Sequence, residues 1–367
     1  MPSIRLLRNE VARTVLSPLT GGKVSAYIRP TIAAIYITQF CNSRCTMCDF
    51  WKNDHDLKEL TSEQWGIVFS RLKAFGVNFV GVNASGEMFT RPDAFEILGH
   101  LRALNMDFGV NSNGTLFTPP KAKRLAALKP RAVTIGLDGV GDAAYMATRG
   151  LKNGFTKISR HIDNLQREGI HNIGVGTVLM EQNLYEWVEL ARFALEKKLA
   201  GVRYTTHHDA YFTPDTTAHE SRYADPNFLV VVDREIEKLI ELKRKTGIVK
   251  NSEAYLRQAT AFYRNPTCYF PVPCLQGSNR IEIDVYGNVT LCSFMSEPLG
   301  NLVHQEMEEI WNSELHRKAR EDAFRGNCPK CFLSCYAEEN LRLSARGFLP
   351  TLGNSVRRGL LLLGPHP

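Results

Sequence analysis

The sequence predicts an α/β fold, a parallel sheet with covering helices, followed by a small cysteine-rich unit. Two observations carry this. Six apolar, strand-length runs alternate with helix-length amphipathic stretches between residues 32 and 206, and β–α units in series require parallel pairing, each crossover being a helix. The nine cysteines are also segregated, three at 41–48 and six between 268 and 335. Such a sheet can close partly as a barrel or lie open as a doubly wound sheet. In both cases the loops after the strands are expected to carry function.

The strand runs are IAAIYI (32–37), NFVGVN (78–83), MDFGVN (106–111), AVTIGL (132–137), NIGVGTVL (172–179) and GVRYTT (201–206). Helices are expected near 62–75, 93–104, 119–128, 155–168 and 184–197. The first is opened by Thr61-Ser62 with Gln64, and places Trp65, Val68, Phe69 and Leu72 on one face. From about 227 the pattern changes to a long amphipathic helix, FLVVVDREIEKLIELKRK, and a second near 252–264. Beyond 265 the chain is rich in Cys, Pro and Gly. One hairpin is signalled there, RIEIDV (280–285), a Tyr-Gly-Asn turn and VTLCSF (289–294). A single helix is expected over 306–324, and region 268–340 is expected to be held by metal rather than by an apolar core. The organisation reads as a basic amphipathic segment (1–29), a core (30–225), a helical connection (226–265), the cysteine-rich unit (266–340) and a tail without a site (341–367).

The formal charge is +7, from 45 basic and 38 acidic residues, with no basic run marking a nucleic-acid footprint. The longest aliphatic run near either end, LLLL (360–363), is far short of a membrane span. The N-terminal stretch lacks the apolar block and cleavage site of a signal peptide. A cytoplasmic protein is expected, with no nucleic-acid partner and no membrane attachment. In a reducing compartment, clustered cysteines point to metal or iron–sulfur ligation rather than disulfides.

The sharpest motif is CNSRCTMC, Cys41-x3-Cys45-x2-Cys48, directly after the first strand. Three thiolates can hold three irons of a 4Fe–4S cluster and leave the fourth open to a small bidentate ligand. A Cys3His zinc site using His55 is the alternative. A strand, this cysteine spacing and a βα series together resemble the radical S-adenosylmethionine (radical SAM) superfamily over roughly residues 30–210. The resemblance implies a partial (β/α)6 parallel barrel whose open iron chelates S-adenosyl-L-methionine. It implies reductive cleavage of that cofactor, with an electron from a donor such as flavodoxin or ferredoxin. The resulting 5′-deoxyadenosyl radical abstracts a hydrogen atom from substrate. The residue before the third cysteine is often aromatic in the family; here it is Met47.

Three further loops fit the resemblance. Ala84-Ser85-Gly86-Glu87 is similar to the family's Gly-Gly-Glu loop, which implies that Ser85, Gly86 and Glu87 receive the cofactor's ammonium, with Ser85 in place of the first glycine. An ordinary turn with a solvated Glu87 is the alternative. Asn111 to Thr115 resembles a Thr-Asn-Gly stretch, which implies ribose or carboxylate contacts from Asn111 and Asn113, although Asn and Ser also favour caps and Asx turns. Leu137-Asp138-Gly139, with Arg149-Gly150 downstream, is the last match. It implies cofactor contacts from Asp138 and Arg149, Arg149 as a fork for the methionine carboxylate, with a surface salt bridge for Arg149 and a turn role for Asp138 as the alternatives.

The second cysteine set resembles the SPASM/twitch extension of the same superfamily. Cys274, Gly287-x4-Cys292 and Cys328-x2-Cys331-x3-Cys335 carry the match, with GNL at 300–302 and EIW at 309–311. This implies auxiliary 4Fe–4S ligation. Two fully protein-bound clusters need eight cysteines and six remain, so one cluster on Cys274, Cys292, Cys328 and Cys331 is the economical reading. Cys268 and Cys335 are then spare, or join a second cluster in a three-and-three division. Zinc on the first four is the alternative. Sulfatase-maturing relatives place an acidic base after the equivalent of Cys292, where this chain has Ser293. Tyr204, His207, His208 and Asp209 are candidate acids or bases facing the cavity, or else a polar loop.

The expected function is hydrogen-atom abstraction from a small molecule in natural-product or cofactor biosynthesis. Modification of a ribosomally made peptide is the second reading, and a non-catalytic zinc- or cluster-stabilised binding protein the third.

Overall fold

The computed structural model describes residues 29–52, 58–83, 85–208, 226–266, 271–278 and 280–343. Strands β1 (Ile32–Tyr36), β2 (Phe79–Asn83), β3 (Asp107–Ser112), β4 (Ala132–Gly136), β5 (Ile173–Leu179) and β6 (Gly201–Thr206) pair in parallel in chain order. The crossovers carry α1 (Ser62–Phe75), α2 (Ala94–Ala103), α3 (Pro119–Ala127), α4 (Asp142–Arg149), α5 (Gly154–Arg167) and α6 (Trp187–Glu196). The sheet does not close on itself. Its order is β6-β5-β4-β3-β2-β1-β7-β8-β9, so the free edge of β1 is taken by the C-terminal region and the barrel stays partial.

Strand alternation sorts the two faces of this sheet. Val80, Val82, Val133, Ile135, Ile173 and Val175 are fully buried under the helices. The inner face carries the intervening residues, among them Gly81, Gly109, Thr134, Gly136, Gly174, Gly176 and Arg203, which are half-buried or exposed. Helix α1 starts where its capping residues predict. The Thr61 hydroxyl accepts from Gln64 N, and the Gln64 side chain accepts from Thr61 N at 2.9 Å.

Two helix expectations are corrected. The expected single helix at 306–324 is two, α9 (Met307–Asn312) and α10 (Glu314–Arg325). Between them Ser313 is extended (φ −62°, ψ 151°), and its hydroxyl accepts from His316 N at 3.1 Å, a cap that outcompetes helix continuation. Helix α4 had no counterpart in the sequence reading. Eight residues give barely two turns of periodicity, and left-handed glycines bound it, Gly141 (φ 92°) and Gly150 (φ 67°).

The expectation that metal rather than apolar packing holds 268–340 is also corrected. Helices α7 (Pro226–Thr246) and α8 (Glu253–Arg264) lead to β7 (Ile281–Ile283), which pairs in parallel with β1, Ala33 facing Ile281 and Ile35 facing Ile283. Strands β8 (Asn288–Thr290) and β9 (Gly300–Asn301) continue the sheet antiparallel, and α11 (Ser334–Leu343) ends the described chain. Ile281, Ile283, Val289, Leu302, Ile310 and Trp311 belong to one apolar core with β1–β6. Arg71 of α1 reinforces the junction through Leu302 O at 2.9 Å and Glu306 at 2.9 Å. Among the described residues no helix is long and apolar enough to cross a membrane.

Candidate active site

The three-cysteine loop follows β1 and is tied down by the loops after β2, β3 and β4. Glu87 N donates to Phe40 O (2.7 Å), Asn42 Nδ2 to Thr115 Oγ1 (2.9 Å), and Thr46 N to Thr148 O (2.9 Å). Gly86 is required at the first contact, because a Cβ there would stand 2.0 Å from Phe40 O. Cys41, Cys45 and Cys48 are half-buried. Burial pushes the Cys41 thiol up to about 11 and the Cys48 thiol up to about 12. Each is raised further by the neighbouring Cys45, while the Arg149 guanidinium pulls both down. Met47 is buried, at 8% exposure. His55 and Ala84 lie outside the described residues.

The polar residues behind the loop are mostly committed to the protein itself. Glu87 is 1% exposed, not a solvated turn residue. Its carboxylate accepts from Ser112 Oγ (2.8 Å), Asn113 N (2.6 Å) and Phe89 N (3.3 Å). Burial raises its pKa, and these donors oppose the rise. Asn113 uses its amide to brace the cysteine loop, donating to Asn42 Oδ1 (2.8 Å) and Ser43 Oγ (3.0 Å) while accepting from Thr115. Ser85 is half-buried and Asn111 exposed, Asn111 bonded to Asn83. Asp138 is fully buried, accepting from Arg149 Nε (2.6 Å) and Val178 N (2.7 Å). The pair is interior, with side chains 12% and 0% exposed, rather than a surface salt bridge. Gly136 makes room for it, since a Cβ there would lie 2.7 Å from the Arg149 Nη atoms. Burial works against the Arg149 charge, but Asp138 and then Cys45 outweigh it and raise the pKa.

The C-terminal cysteines gather at the far end of β6. Cys274, Cys328 and Cys331, with Phe332, Tyr336 and Asn340, line a cavity of about 40 Å³. Cys292 is buried; burial raises its pKa, and Glu282 and then Cys274 add to the rise. Burial also raises Cys331, followed by Cys274 and Cys292, and raises Cys274, with Cys328 and Glu282 as further upward influences. Cys335 is exposed, influenced first by burial of its sulfur and then by Arg280 and Glu282. Cys268 lies outside the described residues. The turn is clamped to β6. Phe332 N donates to His208 Nε2 (3.0 Å), Phe332 O accepts from Thr206 Oγ1 (2.7 Å) and Tyr255 OH (2.9 Å), and Ser334 N donates to Thr205 Oγ1 (3.0 Å).

This corrects the acid–base candidates. Tyr204 does not face the cavity: it is fully buried on the helix side, and its hydroxyl donates to Trp187 O at 2.6 Å. Alternation along β6 sends Tyr204 and Thr206 inward to the core and Arg203 and Thr205 to the other face. His208 is a buried acceptor packed against Phe262 (4.5 Å) and Phe294 (5.4 Å), and His207 is buried with its backbone N donating to Tyr263 OH (3.2 Å). Asp209 lies outside the described residues. Sequence reasoning missed a carboxylate near Ser293. Glu282 of β7, 1% exposed, accepts from Ser293 Oγ (3.2 Å) and Tyr336 OH (2.8 Å), and Ser293 Oγ is also 3.2 Å from Tyr36 OH. The isolated polar residue in Ile-Glu-Ile was its sequence signal.

Residues 35–194 match the radical SAM superfamily model, and residues 274–336 match the SPASM iron–sulfur cluster-binding domain. The chain belongs to the radical SAM superfamily. Among radical SAM relatives, the mycofactocin maturase MftC of Mycobacterium tuberculosis (strain ATCC 25618 / H37Rv) is 25% identical over 300 residues, covering 80% of this chain and 74% of the relative. The pre-heme d1 synthase of Dinoroseobacter shibae is 24% identical over 341 residues, covering 84% and 81%. In fold, the chain is similar to Streptococcus suis SuiB bound to precursor peptide SuiA, with a TM-score of 0.63 at 17% identity over 81% of this chain and 70% of that one. The SuiB likeness agrees with the partial barrel seen here.

As a radical SAM enzyme with a SPASM domain, the protein uses S-adenosylmethionine and 4Fe–4S clusters, which sets aside the non-catalytic alternative. The donor sets fit such clusters. Among the described residues no three Cys, His, Asp or Glu side chains converge on a single metal ion, yet the thiols within each set feel one another's charge. All-sulfur donor sets of this kind are the ligand chemistry of iron–sulfur clusters.

Proposed function

We propose that this protein is a peptide-modifying radical SAM enzyme with an open cluster on Cys41, Cys45 and Cys48 and one auxiliary cluster on Cys274, Cys292, Cys328 and Cys331. The observation that carries the site is the loop CNSRCTMC, three coupled thiols held against loops 85–87, 111–115 and 148–150. When bound, the cluster and S-adenosylmethionine supply reductive C–S cleavage and hydrogen-atom abstraction. The chain's part is binding and orientation. The three cysteines hold irons, and the Asp138-anchored Arg149 offsets their negative charge. Gly86 keeps the second loop against Phe40, and Ser85 and Asn111 present polar groups at the mouth, while Glu87 and Asn113 act as internal struts for these loops. Cys335, bordered by Arg280 and Glu282 rather than by several thiols, stands outside the four-cysteine auxiliary set.

The substrate reading departs from the small molecule expected above. Maturation of a peptide is supported by the maturase relatives and by likeness to an enzyme solved with its precursor peptide. A reducing partner such as flavodoxin or ferredoxin supplies the electron, and the net positive charge favours such an acidic protein.

Anaerobic iron analysis tests the assignment of sites. Replacing Cys41, Cys45 and Cys48 by alanine removes about four irons of about eight and leaves an auxiliary iron–sulfur absorbance. Loss of all iron, or of none, overturns the assignment.

A further inference from the structure

On the inner face of β3–β6 lies a cavity of about 490 Å³, with Ser334 among its lining residues, large enough for a peptide fragment. Strand register orders its floor. One row runs Asn111, Thr134, Gly174, Gly201; the next runs Gly136, Gly176, Arg203. A Cβ on Gly174 or Gly176 would meet nothing closer than 3.5 Å, so glycine leaves open space there that a side chain would fill. Among the described residues, Arg203 is the one charged residue lining the cavity. It makes no hydrogen bond or ion pair among the described residues, and its charge is among the influences that lower the Cys335 thiol.

The contrast with Arg149 locates its role. Arg149 lies over Gly136 in the same row, two strands away and so about 10 Å across the sheet, and is paired with Asp138 and turned to the Cys41–Cys48 loop. Arg203, by contrast, lines the cavity with a guanidinium fork that no described residue fills. Such a fork matches a carboxylate bidentately. We propose that Arg203 recognises a carboxylate of the substrate and holds it on the glycine floor, between the Cys41–Cys48 loop and the Cys331–Cys335 turn. The proposal rests on the peptide reading only for the source of that carboxylate, a chain terminus or an acidic side chain.

The test uses cluster-loaded, S-adenosylmethionine-saturated enzyme titrated with N-acetyl-triglycine and with its C-terminal amide. Wild type binds the acid at least ten-fold more tightly than the amide. Arg203→Gln abolishes that preference, Arg203→Lys retains part of it, and both variants keep wild-type affinity for S-adenosylmethionine. Equal binding of acid and amide by wild type overturns the proposal, as does a preference that survives in Arg203→Gln. A fall in cofactor affinity in Arg203→Gln also overturns it, by placing the residue in the cofactor site. Failure of the radical SAM reading would show separately, as wild type that forms no 5′-deoxyadenosine whatever its carboxylate preference.

Discussion

Single residues decide whether the three-cysteine loop can be built. Gly86→Ala forces a Cβ into the Phe40 carbonyl, and neither backbone can yield without moving Cys41. The variant is expected to fold but to lose most of the iron bound by that loop; a full complement of iron would contradict the close-packing argument. Arg149→Gln leaves Asp138 buried and uncompensated, expected to destabilise the chain by about 3 kcal/mol or more, measured by urea unfolding. His316 gives a pH test. Burial first, and then Arg320, whose Nη1 donates to its Nδ1 at 2.6 Å, push the imidazole down to about 3. The unfolded chain therefore binds the proton first. Stability from this group is present above about pH 6.5 and is lost as pH falls toward 3, by up to about 1.4 kcal/mol per unit. A His316→Gln variant flattens the acid limb of stability against pH. An unchanged limb would show that another group controls it.

At the scale of elements, the sequence was most legible where the signal is local. Cysteine spacing is written in eight consecutive residues, and the alternating runs place all six parallel strands within a residue or two. The Thr61–Gln64 capping box marks α1 to the residue. Local signals were also misread. Ser313 lies inside a run with helical periodicity, yet its side chain caps rather than continues the helix. Ser313→Ala should lower stability by about 1 kcal/mol, seen as a shifted urea midpoint; no shift would mean the break is imposed by tertiary packing. In β6, choosing residues by chemical type selected Tyr204, whereas period-two alternation alone would have sent Arg203 and Thr205 to the cavity. The Glu282–Ser293–Tyr336 cluster was illegible for a different reason, since it joins residues up to 54 positions apart and nothing nearby in sequence announces the partner.

For the whole molecule, the important feature is that the auxiliary region is not a separate bead. Strand β7 completes the edge of β1, Trp311 packs on Phe75 at 5.4 Å, and Phe332 accepts hydrogen bonds from β6 and α8 and donates one to His208. Electron and substrate geometry between the two cysteine sets is thus fixed by a shared sheet and core rather than by a linker. A chain ended after residue 265 should aggregate, because the β1 edge and the apolar surface under Trp311 lose their cover. A monomeric truncated chain with native far-UV circular dichroism would show that the barrel folds alone.

The central claim is that Cys41, Cys45 and Cys48 form an open cluster site whose remaining ligand is S-adenosylmethionine. Its most direct test is 5′-deoxyadenosine formation by anaerobically reconstituted protein given S-adenosylmethionine and dithionite. The account predicts product from wild type, and none from Cys45→Ala although its auxiliary iron remains. Product from Cys45→Ala at the wild-type rate, or none from fully loaded wild type, would contradict it.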